Sequence, residues 1–159
     1  MNYKKIDIQV IIGSKSDSEK LQGAIDVLKE FGVNFDFKVA SAHRSPNYVE
    51  EIIDNAINCG VKVFITGAGM ANHLSGTVAS KTTLPVIGIP FSGGVNNGMD
   101  SLLSTVQMPP GVPVATVAVD GAKNGAILAL EILSIENKDL QKKLIEYRHK
   151  EAEKIKNAV

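Results

Sequence analysis

The sequence predicts a doubly wound α/β fold with a mainly parallel sheet, on three observations. Short β-branched runs alternate with amphipathic helical stretches along the chain. The first run, Ile8-Gln9-Val10-Ile11-Ile12, is nearly continuous in apolar residues, as strands covered on both faces are. Glycine or proline marks many of the joints, with Gly32, Pro46, Gly60 and Pro85 at changes of period. Such alternation implies right-handed crossovers and helices on both faces of one sheet.

After the first strand, Leu21, Ala24, Ile25, Leu28 and Phe31 form one stripe at helical spacing. Ser16 is the expected N-cap of this helix, with Glu19 completing a capping box and Gly32 as its left-handed stop. Residues 34–39 make a second strand. Ser45 then caps a helix with Pro46 in its first turn, burying Val49, Ile52, Ile53 and Ala56 and closed by Gly60. A third strand over 61–66 leads through a glycine-rich turn to a helix over 72–82, and 85–89 is the fourth strand. Residues 90–113 read as irregular apart from a short helix near 100–106. A fifth strand follows over 114–119, then a helix over 125–133. The last element is a charge-laced helix over 137–156, with Leu140, Leu144, Tyr147 and Ile155 on one side. The set fits a flavodoxin/Rossmann-like three-layer sandwich: one domain over 1–159, core 6–135, with a C-terminal helix (137–157) extending from it. That helix is either a solvated flank or a surface that docks on another subunit.

The 159 residues suit one domain with a self-sufficient core. Lys+Arg and Asp+Glu both total 17, and the chain has no Trp, so neither a basic face nor a stacking platform for nucleic acid is expected. No apolar run approaches the ~18 residues needed to span a bilayer, and residues 1–7 carry no signal-peptide pattern, so a cytoplasmic protein is expected. Cys59 is the only cysteine, which excludes an internal disulfide and a thiolate zinc cluster; it reads as a buried, inert thiol.

Ligands of open parallel sheets bind beyond the carboxyl ends of the strands. The segments there are Gly13-Ser14-Lys15-Ser16-Asp17, Ser41-Ala42-His43-Arg44-Ser45-Pro46, Gly67-Ala68-Gly69-Met70-Ala71-Asn72-His73 and Pro90-Phe91-Ser92-Gly93-Gly94. Both histidines outside the tail fall in this set; His149, among Arg148, Lys150 and Glu151, is a solvated residue. The first segment suits a phosphate: Gly13 allows a sharp turn, Ser14 and Ser16 bring hydroxyls, and a helix N-terminus brings free N–H groups. Arg44 can add a planar guanidinium to the same anion. Asp17 would repel phosphate and suits ribose hydroxyls instead. Ser16 and Asp17 could equally serve only as helix caps; Ser41 and Arg44 nearby favour the anion site. His43 lies in a loop outside any apolar stripe, where an imidazole suits general acid/base work. His73 either contacts substrate from the glycine-rich turn or caps the helix that follows.

Other chemistries fit poorly. In Gly67-Ala68-Gly69-Met70-Ala71-Asn72 the third fingerprint glycine is Asn72, and no acidic residue follows the next strand, which disfavours NAD or FAD. No P-loop motif is present, and three histidines with one cysteine show no metal-ligand spacing. A receiver module would need acidic residues after strands one and three and a lysine after strand five. Gly13-Ser14, Thr66-Gly67 and Asp120-Gly121 stand there instead.

Four segments taken together resemble the N5-carboxyaminoimidazole ribonucleotide mutase family, the catalytic subunit family of phosphoribosylaminoimidazole carboxylase. They are 13–17, 41–46, Ala68-Gly69-Met70-Ala71-Asn72-His73-Leu74, and Asp100-Ser101-Leu102-Leu103-Ser104-Thr105-Val106-Gln107-Met108-Pro109. The resemblance spans about residues 8–133, in order and spacing. It implies an isomerase of de novo purine biosynthesis that moves a carboxylate from the exocyclic nitrogen to C4 without ATP, metal or organic cofactor. It further implies that Ser14, Ser16, Ser41 and Arg44 surround the 5′-phosphate and that Asp17 meets the ribose. His43 is then the proton-transfer residue, while His73 and the turn bearing Gly69, Met70 and Ala71 border the base and carboxylate. The His43/His73 pairing favours the mutase over direct carboxylation of aminoimidazole ribonucleotide by CO2, and a non-catalytic sugar-phosphate-binding module survives only if His43 is inert.

Three departures stand out: Asn72 where a small residue is expected, Ser75 where proline is expected, and a short turn over 119–125. The resemblance also implies an octamer. In keeping with an oligomer, the 90–113 stretch is rich in glycine and proline yet carries Phe91, Met99, Leu102, Leu103, Val106 and Met108, which subunit contacts are expected to bury.

Overall fold

Five consecutive buried residues, Ile8–Ile12, make the first strand, β1, and both of its faces are covered. The computed structural model describes residues 5–158; the expectation for the N-terminal stretch therefore falls partly outside the described residues. Around β1 an all-parallel sheet forms from β2 (Phe35–Val39), β3 (Val63–Gly69), β4 (Val86–Phe91) and β5 (Ala115–Thr116), in the order β2-β1-β3-β4-β5. The chain leaves β1 for one side and returns as β3 on the other, so the switch point lies between the carboxyl ends of β1 and β3.

Side-chain alternation along the strands sorts the core into two layers. On one face Val10, Ile12, Ile65, Ile87 and Ile89 meet α1 (Ser18–Phe31), α5 (Ala122–Ser134) and α6 (Lys138–Lys156). On the other, Ile11 and Phe64 meet α2 (Pro46–Asn58) and α3 (His73–Lys81), through Val49, Ile52, Ile53, Leu74 and Val78. A last helix, α4 (Met99–Val106), contacts α3, β4 and β5.

Several local expectations are corrected. Ser16 does not cap α1. Residues Lys15–Asp17 tighten into a 3-10 turn in which Ser14 Oγ accepts from the Ser16 N–H at 3.3 Å, and α1 starts at Ser18. The short turn satisfies an orphan donor that the capping box would have used. Gly32 does end α1 in the left-handed region, φ 70°. Strand β3 runs on to Gly69 because its glycines keep pairing with β4, up to Gly69 opposite Phe91. Strand β5 shrinks to two residues. The chain still touches β4 beyond it, Asp120 N donating to Pro90 O at 2.9 Å, but Asp120 adopts φ 57° and turns away into α5. Cys59 is half-buried rather than buried.

The terminal helix docks on its own chain. Asn137 Oδ1 caps it by accepting from Leu140 N at 3.0 Å, and Leu140 and Leu144 are buried. Tyr147 meets Phe31 edge-on at 5.6 Å between centroids. Ile155, expected on the same side, is 76% exposed. Within the apolar 90–113 stretch, Phe91 is buried by its own chain, whereas Met99, Leu103 and Val106 form an exposed row on α4. Among the described residues, no helix is long and apolar enough to cross a membrane.

Candidate active site

Four turns converge at the carboxyl edge of the sheet around one cleft of about 550 Å³. The β1 turn is drawn toward β3 by Gly13 N, which donates to Gly67 O at 2.9 Å. Close approach is possible because Gly13 has no side chain: a Cβ there would lie 3.1 Å from Ala68 Cβ. With Ser14 used as the cap, the Ser16 hydroxyl sits 2.8 Å from Ser14 Oγ, so two hydroxyls share one spot beside the 3-10 turn.

The β2 turn closes on itself. Ser45 Oγ accepts from Ser41 N at 3.0 Å, and Ser41 Oγ accepts from Arg44 N at 3.2 Å. This lock projects Arg44 across to the β1 turn, where Nη2 donates to Gly13 O at 3.1 Å. Ser41, Arg44, Ser14, Ser16 and Asp17 therefore line the same cleft although they come from two crossovers.

The opposite wall comes from β3 and α3. Gly69, Met70 and Ala71 line the cleft, with Met70 in the left-handed region at φ 51° and its side chain exposed. Asn72 takes the N-cap position of α3, without a side-chain bond to the helix backbone, and His73 is its first residue. The His73 ring does not cap the helix. Its Nδ1 lies 2.7 Å from His43 Nε2, with the ring planes at 71°. One of these nitrogens carries the proton and the other accepts it, so the contact couples the tautomers of the two rings. His149 is exposed on α6, away from this group.

A fourth wall, Ser92-Gly93 beyond β4, is absent from the residues singled out above, although the carboxyl-edge rule pointed to its turn. Its anchors carry no sequence signal. Lys20 donates to Ser92 O, and Asp120 Oδ1 accepts from Ser92 N at 3.0 Å. Among the described residues, no group of three metal-ligating side chains occurs.

Asp17 is the perturbed group of the cleft. Burial pushes its carboxyl above the usual 3.8; Lys20 and Arg44 pull it down, and Asp120 adds to the rise. A carboxyl raised on folding stabilises the protein most below its unfolded value and loses that contribution as pH climbs through the folded value. At neutral pH the Asp17 charge is thus a cost, as expected of a side chain kept for binding. Asp17→Asn is expected to melt no lower than the unsubstituted protein at pH 7. Any gain should be small, because solvent screens this group, and should shrink on acidification. Melting curves at two pH values check it; a lower Tm at pH 7 contradicts it.

Fold and cleft define a class: a flavodoxin-like α/β protein whose carboxyl-edge cleft is lined by Ser14, Ser16, Ser41, Arg44 and His43. The chain belongs to the AIR carboxylase family, whose pattern matches residues 7–154. It is 53% identical over 148 residues to the N5-carboxyaminoimidazole ribonucleotide mutase of Methanocaldococcus jannaschii, covering 93% of this chain and 92% of that one. It is 45% identical to the phosphoribosylaminoimidazole carboxylase of Candida glabrata, covering 93% of this chain but 26% of that longer protein. The crystal structure of Treponema denticola PurE superposes with a TM-score of 0.87 at 28% identity, covering 95% of this chain and 94% of that one.

Proposed function

We propose that the protein converts N5-carboxyaminoimidazole ribonucleotide to 4-carboxy-5-aminoimidazole ribonucleotide in purine biosynthesis, a mutase reaction that uses no cofactor. The observation that carries this reading is the His43–His73 contact, 2.7 Å long, at the edge of the cleft that His43 lines together with Ser14, Ser16 and Arg44. Ser14, Ser16, Ser41 and Arg44 hold the 5′-phosphate, by hydroxyls, turn N–H groups and a planar cation. Asp17 accepts from the ribose hydroxyls. Gly69, Met70, Ala71 and His73 border the base and the migrating carboxylate.

The N–C bond of the carbamate breaks, releasing CO2, and His43 gives its proton to the departing nitrogen. C4 of the resulting aminoimidazole then attacks the retained CO2, forming the new C–C bond. His43 takes the C4 proton, which restores the aromatic ring and leaves the histidine as it began. A closed cleft that keeps CO2 beside C4 supplies an effective concentration worth roughly 7–11 kcal/mol. One imidazole serves both proton transfers, because the acid left deprotonated by the first step is the base of the second.

The protein acts in the cytoplasm as an octamer. The exposed row Met99, Leu103 and Val106 supports burial between subunits. A monomer by light scattering at micromolar concentration would overturn that assembly.

Direct carboxylation of aminoimidazole ribonucleotide by CO2 is the second reading, supported by the name of the Candida relative. One assay separates the two. Purified protein is given aminoimidazole ribonucleotide and bicarbonate, with and without an ATP-dependent N5-carboxylating enzyme, and the C4-carboxylated product is measured. Product that depends on the helper at low bicarbonate is the expected result. Equal rates without it replace the mutase by the carboxylase, and no product in either arm sinks both.

A further inference from the structure

Behind the catalytic wall lies a chain of polar side chains sealed from solvent. Thr66 Oγ1 donates to Ser75 Oγ at 2.8 Å, Ser75 Oγ donates to Asn72 Oδ1 at 3.3 Å, and Asn72 Nδ2 donates to Thr105 Oγ1 at 2.9 Å. Thr105 Oγ1 in turn donates to Ser101 O at 2.6 Å. Thr66, Asn72, Ser75 and Thr105 are all 0% exposed. In this arrangement Ser75 and Thr105 each give one hydrogen bond and take one, and both ends of the Asn72 amide are engaged. Buried networks are retained when every member is satisfied and are costly when one is not.

Gly88 of β4 makes room for it. A Cβ there would lie 2.5 Å from Thr105 Cγ2 and 3.1 Å from Ser75 Oγ, so its bare backbone lets α3 and α4 settle side by side on the sheet. The Asn72 backbone is held as well, its N–H donating to Ser104 Oγ at 2.8 Å. Asn72 is thus fastened to α4 twice, by amide and by backbone. Two of the three departures from the resembled pattern, Asn72 and Ser75, belong to the network and bond to each other.

The residue after Asn72 is His73, whose ring meets that of His43 at 2.7 Å. We propose that Asn72 is a positioning residue: by hooking the first turn of α3 to α4 and to β3, it sets the place from which His73 engages His43. Hydrogen-bonded catalytic pairs tolerate about half an ångström of misplacement, and Asn72 supplies the rigid support one residue away. The role rests on the functional reading above, but its structural half stands apart from turnover.

The test compares Asn72→Ala with the double variant Asn72→Ala/Ser75→Ala, which also removes the hydroxyl stranded by the first change. Three quantities are read: Tm, kcat against KM, and the imidazole 15N resonances of His43 and His73 in the ligand-free protein. The single variant should lose Tm, and the double variant should regain part of it, because removing both partners of a buried bond costs less than removing one. Positioning predicts that the double variant still lacks the coupled tautomers and loses about 10- to 100-fold in kcat with a smaller change in KM. A double variant with regained Tm, unchanged 15N resonances and unchanged kcat overturns the proposal and leaves the network purely structural. If the Asn72 variants do not fold, Thr105→Val cuts only the amide's anchor to α4 and leaves the Ser104 bond: altered 15N resonances support the role and unchanged ones overturn it. An unsubstituted protein without mutase turnover would sink the functional reading instead, with the 15N comparison still deciding the positioning.

Discussion

His43→Asn is expected to fold with unchanged Tm and to lose about 10²- to 10⁴-fold in kcat, the range set by removing a general acid/base. Asparagine keeps a polar side chain of similar reach but cannot cycle a proton at neutral pH. Both half-reactions need that proton, so no step of the rearrangement is spared. KM should move little, since the Ser14/Ser16 turn and Arg44 hold the phosphate independently of the imidazole. Because His43 is exposed, its loss opens no cavity, and a stability change would be unexpected. Steady-state kinetics on the purified variant decide the matter: turnover within about threefold of the unsubstituted protein removes His43 from the mechanism, whereas a 10²-fold loss is the lower edge of expectation.

Phe91→Ala is expected to cost about 3–5 kcal/mol of stability, as buried phenylalanine truncations do. Phe91 ends β4 with no exposed surface, and its ring covers Gly67 so closely that a Cβ there would lie 2.6 Å from it. The sheet cannot collapse into the space left behind, because the pairing of Gly67 with Ile89 and of Gly69 with Phe91 fixes the two strands. The backbone at Phe91 also carries the cleft: its carbonyl accepts from Ser101 Oγ at 2.8 Å, and Ser92-Gly93 follows immediately. Looser packing there should raise KM alongside the fall in Tm. At roughly 2–4 °C per kcal/mol for a chain of this size, a drop of about 10 °C is expected in thermal unfolding. A loss below about 1 kcal/mol would mean that the site repacks, contrary to the rigidity ascribed to it.

Much of the fold was legible from short-range signals. Strand β1 and the α2 start at Pro46 follow from apolar runs and proline, and Gly32 ends α1 because a left-handed residue is needed there. The signals failed where another partner, near or distant in the chain, overrode them. Glu19 made Ser16 look like a cap, yet Ser14 caps the turn. The glycines of 67–69 looked like a turn, yet pairing with β4 keeps them in strand. The apolar residues of 90–113 looked like one exposed patch, yet Phe91 belongs to the core, while Val95 and the α4 row face outward.

The site shows the same division. That Ser14, Ser16, Asp17, Ser41, His43, Arg44 and the Gly69–Ala71 turn follow strands was readable, since strand ends are local features and the carboxyl-edge rule is general. The short contact between His43 and His73, 30 residues apart, was not. It depends on β1 standing between β2 and β3, which delivers the two turns to opposite sides of one crevice. The anchoring of Ser92-Gly93 by Lys20 and Asp120, and of Asn72 by Thr105, depends on how helices settle on the sheet. By itself the sequence determined the alternation of elements, the two-faced core and the residues delivered to the strand ends, because backbone sterics and burial act over a few residues. Strand order, register and helix docking decided which of those residues touch, because these are settled by packing between segments far apart in the chain.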